Sequence, residues 1–195
     1  MTSTKNQQIF KFIIERLSGR LGRTHLLKLV YLADYHFHKL TGKSISTFNY
    51  TWYQHGPFDS SFYDDIKNLK KGTYIEEKEV YFPSCSGYVF HDTPHHMAYD
   101  ELSTQDLYIL EYIIKTYGKA DLQALLDEVV YKTEPMEELT KRNAFGERLP
   151  MEIVDNKDKA ELYEGLAPED IIEGEQAIKE GKARPLEEVF SALQS

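Results

Sequence analysis

A predominantly helical α+β fold follows from the order of hydrophobic patterns along the 195 residues. Two stretches with helical spacing come first, an aromatic and Thr-rich extended region follows, and helical spacing then returns. That order lacks the βαβ alternation of a nucleotide-binding sheet. The expected architecture is a compact helical domain with a small two- or three-stranded antiparallel element and a C-terminal helical appendage. The expected division is residues 1–148 and residues 149–195.

Residues 5–17 place Ile9, Phe10, Ile13 and Leu17 on one helical face, broadened by Ile14. "SGRLG" ends the stretch. A second helix is expected over about residues 23–40, with Thr24 as N-cap and Gly42 as the stop. Its stripe of Leu26, Leu29, Val30, Ala33, Phe37 and Leu40 is widened by Leu27 and Leu32, so this helix should be central. "STFNYTWYQ" reads as a strand that Gly56-Pro57 terminates. Asp59 or Ser60 can cap a short helix running to about Leu69, with Phe62, Ile66 and Leu69 inward. "TYIEEKEVYF" and "GYVFHD" form a hairpin across "PSCSG". Helix resumes at Ser103, with Asp106 in its first turn, and ends at Gly118; residues 120–131 form another, closed off before Pro135. The tail is acidic and broken by Gly and Pro.

The net charge of −9 conceals a gradient. Residues 1–43 carry eight Lys/Arg against two acids, residues 44–150 ten against eighteen, and residues 151–195 five against twelve. An acidic total argues against a dedicated nucleic-acid binder, while the basic N-terminal part leaves a smaller role on DNA open. No apolar run approaches the roughly 20 residues of a membrane span. A polar start without a signal-peptide core, and a single cysteine, lead to the expectation of a cytoplasmic protein.

The common phosphate-cradling, zinc-protease and serine-hydrolase signatures are missing. His36 and His38 lie two apart, on different sides of a helix, and His25 is nearly three turns from His36, so one ion cannot hold them. Cys85, His91, His95 and His96, with Asp92, could gather around zinc, but their spacing fits no familiar module and an ordinary loop accounts for them. Cys85 as a nucleophile would need a base, for which His91 is the candidate; a turn thiol is the simpler reading. Asp34, on the central helix, reads as buried and paired, with Lys28 or His38 as local partners; the open alternative is that it stabilises a neighbouring loop or contacts a partner. The first two helices could also form a helix-turn-helix, although the exposed strip expected on the second (Lys28, Tyr31, Tyr35, Lys39) has few side chains suited to reading bases. No catalytic residue, metal ligand or cofactor is assigned.

In "NYTWYQHGPF", alternation sends Asn49, Thr51, Tyr53 and His55 to one face and Tyr50, Trp52 and Gln54 to the other. Aromatics on both faces cannot all bury against one helix, and exposed Trp and Tyr are favoured interface anchors.

Three stretches, "HLLKLVYLADYHFHKLTGKSI" (25–45), "FNYTWYQHGPFDSSFYDDI" (48–66) and "LSTQDLYILEYIIKTYGKADLQALLDEVVYKTEPM" (102–136), together resemble the Panacea domain, the SocA-like antitoxin family of bacterial and phage toxin–antitoxin systems. The resemblance implies a non-enzymatic antitoxin that binds and neutralises a cognate protein toxin, with no catalytic residues to carry over. It also leaves room for a protease adapter that delivers the toxin for degradation, or an operon autoregulator on operator DNA; a metal-dependent hydrolase is the remotest alternative. The expected partner-binding patch comprises Lys28, Tyr31 and Tyr35 of the central helix with Tyr50, Trp52, Tyr53, His55, Gly56, Pro57 and Phe58. The acidic tail is a second expected contact, and no membrane contact is expected.

Overall fold

The computed structural model describes residues 3–82 and 85–154, with side chains outside 82–86. The expected appendage from residue 155 onward and the Cys85 side chain lie outside the described residues. Element order is α1 (Lys5–Arg16), α2 (Arg23–Thr41), β1 (Thr51–Tyr53), β2 (Gly56–Phe58), α3 (Ser61–Lys71), β3 (Ile75–Phe82), β4 (Cys85–Asp92), α4 (Thr104–Tyr117), α5 (Leu122–Ala124) and α6 (Glu134–Lys141). The fold is therefore α+β and mainly helical, with two antiparallel two-stranded sheets, β1–β2 and β3–β4.

α2 is the central helix of the described residues. Residues 26–37 are buried throughout, which uses the doubled leucine stripe except for Leu40. α1 and α4 flank it; α4 starts after Ser103 and stops at Gly118 as expected, and α1 has a cap that sequence reading did not assign. Thr4 with Gln7, and Ser103 with Asp106, form reciprocal capping boxes. Gly42 closes α2 in the left-handed conformation at φ 71°. The start of α2 is a correction: its N-cap is Gly22, and Thr24 lies inside the helix.

The larger correction concerns Gly56-Pro57. These residues do not end the extended segment but begin its return strand. Trp52 pairs with Pro57 and Tyr53 with Gly56, around a turn at Gln54-His55. The expected long strand shrinks to Thr51–Tyr53 because Phe48 and Tyr50 enter the core, where Phe48 lies near Phe10 and Tyr50 near Tyr31. The β3–β4 hairpin runs from the pair Ile75–Asp92 to Phe82–Cys85. Gly19 N–H donates to the Phe90 carbonyl, and Phe90 N–H to the Leu21 carbonyl, which ties the outer edge of β4 to the α1–α2 turn.

Residues 120–131 are helical in a less regular way than expected. α5 passes into a wide π turn (Leu125–Val129) and a tight turn (Val130–Lys132). α6 then begins with Pro135 in its first turn, so the proline expected to close one helix opens another. Leu149 and Val154 are buried.

Candidate interaction face

The side chains of "KLVYLAD", residues 28–34, reach three separate segments. Trp52 exchanges backbone hydrogen bonds with the 146–147 segment: its N–H donates to the Glu147 carbonyl, and its carbonyl accepts from the Gly146 N–H, each at 2.9 Å. In an antiparallel pair the residue opposite must then turn its own backbone groups away from β1. That residue is Pro57, which has no N–H to strand there. Its outward carbonyl accepts from Lys28 Nζ. The lysine and the proline thus close the outer edge of β2 together.

Lys28 is only 2% exposed. Burial pulls its pKa from 10.5 down to about 7. Two turns along α2, Asp34 is fully buried and accepts hydrogen bonds from Ser46 N–H (2.7 Å), Ser46 hydroxyl and Tyr50 hydroxyl (2.7 Å). Its partners are therefore in the incoming loop, and not Lys28 or His38. Burial raises the Asp34 pKa, against those hydrogen bonds, and lifts Tyr50 well above the usual phenol range.

The same helix also grips "TEP". Tyr31 hydroxyl lies 2.6 Å from Thr133 Oγ1. Tyr35 hydroxyl donates to Glu134, which also pairs with Lys39 at 3.2 Å. Burial and then the Glu134 hydrogen bond raise the Tyr35 pKa. These residues latch α6 and the ribbon to the core.

Lys28, Tyr31, Tyr35 and Tyr50, expected at a partner surface, are thus interior, with exposures from 0% to 8%. Gly56 and Pro57 are buried as well. The strip of α2 that was expected to be free faces β2 and residues 133–134, because a helix enclosed on every side has no free strip. The same burial corrects the recognition-helix reading, since a reading helix must be open to a groove. The basic N-terminal charge is also engaged within the fold. Lys5 pairs with Asp106, Lys11 with Asp92, Arg16 with Glu111, and Arg23 with Glu77.

The rest of the expected set lies outside. Tyr53 is 46% exposed, His55 is exposed at the ribbon turn, and Trp52 and Phe58 are half-buried. Two rings missed by sequence reading join them: Phe145, 56% exposed, and Tyr63, 50% exposed. They make a continuous row. Trp52 meets Phe145 at 5.7 Å between centroids, Phe145 meets Tyr53 at 5.9 Å, Tyr53 meets Phe58 at 5.4 Å, and Phe58 meets Tyr63 at 6.0 Å. Tyr63 was detectable, since it falls off the Phe62–Ile66–Leu69 stripe and so must point outward. Phe145 carried a fainter signal, a lone aromatic beside Gly146 in a polar run.

His95 of the expected loop cluster meets Thr73 Oγ1 at 2.8 Å and packs against the Tyr74 ring. Among the described residues no three His, Cys, Asp or Glu side chains are placed to hold a metal ion, and no helix is long and apolar enough to cross a membrane.

A family model described as "Antitoxin SocA-like, Panacea domain" matches residues 26–135, more than half of the chain. The chain belongs to that family. The match begins in α2 and ends at Pro135, so it spans the Lys28–Pro57, Asp34–Tyr50 and Tyr35–Glu134 links described above. No curated protein and no solved structure matches the chain. Within the Panacea-domain frame, four of the five exposed or half-exposed rings fall inside the matched residues, and Phe145 lies ten residues past their end.

Proposed function

We propose that this Panacea-domain protein is a non-enzymatic antitoxin that neutralises a cognate protein toxin by covering it, through the ring row of Trp52, Tyr53, Phe58, Tyr63 and Phe145. One observation carries the reading: five adjoining rings lie at or near the surface, three of them on the β1–β2 ribbon that Lys28, Asp34 and Tyr50 fix from behind, with Tyr63 of α3 at one end of the row and Phe145, just before the 146–147 segment, between Trp52 and Tyr53. Rigid aromatic anchors with little side-chain entropy to lose are what tight protein–protein contacts use. The family's description as an antitoxin supports the partner's identity. The buried motif residues serve as scaffold in this proposal. The domain split at 148/149 and a contribution of the tail to toxin binding belong to the same proposal.

The test is co-expression with the toxin encoded beside this gene. Wild type should restore growth. Trp52→Ala, and Tyr53→Ala with Phe145→Ala, should restore it poorly while accumulating as folded protein. Full rescue by both folded variants would remove the assignment of the face.

A further inference from the structure

We draw no further inference here: the strongest candidate, the cavity where the start of α2 meets β4 and the α4–α5 turn, lined by Arg20, Arg23, His25 and Lys119, rests on an uncapped helix N-terminus alone, since Arg23 is already held by Glu77 and Asp121 lines the same cavity.

Discussion

Lys28 shows how a single side chain can be structural and chemically conspicuous at once. Its ammonium has left water for one carbonyl, and the cost appears in its pKa of about 7. The unfolded chain, with an ordinary lysine, holds one more proton between pH 7 and pH 10.5 than the folded chain does. Stability should therefore rise with pH across that window, by at most about 1.4 kcal/mol per unit from this residue. Above about pH 10 the order reverses, because Tyr31 and Tyr50 stay protonated in the fold while free phenols ionise. Urea unfolding at a series of pH values should trace this dome, and Lys28→Met should flatten its rising limb. At the acid end His36, buried against Tyr112 and Tyr117 with its pKa lowered to about 4, makes the fold lose stability as pH falls from about 6.5 towards 4. Asp34→Ala should be more severe at any pH. It strands the Ser46 N–H and the Tyr50 hydroxyl, costing about 3–5 kcal/mol, whereas Asp34→Asn keeps an acceptor and should cost less in the same unfolding measurement.

The elements differ in how openly the sequence declared them. α1, α2 and α4 were legible from their apolar periodicity, helped by the Ser103–Asp106 box at the start of α4 and the glycines that end α2 and α4. The hairpin was legible from its β-rich runs around a turn. The ribbon was misread because Gly-Pro is ordinarily a stop signal, and its use here depends on a lysine 29 residues away that takes the proline's carbonyl. No local pattern contains that information. The exposed strip assigned to α2 failed for a related reason: polar atoms of Lys28 and Tyr31 suggested solvent, but each had a distant partner inside. Of the candidate face, the aromatic segment was legible and its division into scaffold and surface was not. The ribbon's dependence on its turn can be tested at Gly56, where φ is +82° and an added Cβ would meet Val130 Cγ1 at 3.4 Å. Gly56→Ala should cost about 1–2 kcal/mol. Hydrogen exchange should show the loss first at Trp52 N–H and Gly146 N–H, and leave α2 amides at the global limit.

At the scale of the molecule, the charge gradient and the fold point the same way. Basic residues of the first two helices are engaged with acids across the structure, through Lys5–Asp106, Lys11–Asp92, Arg16–Glu111 and Arg23–Glu77. The ring row of Trp52, Tyr53, Phe58, Tyr63 and Phe145 is left at or near the surface. The most direct measurement of the central claim is the affinity of purified toxin for wild type and for the Tyr53→Ala, Phe145→Ala double variant by calorimetry. Loss of two clustered aromatic anchors should weaken binding by about 30-fold or more. An unchanged dissociation constant in a variant that melts like wild type would contradict the account.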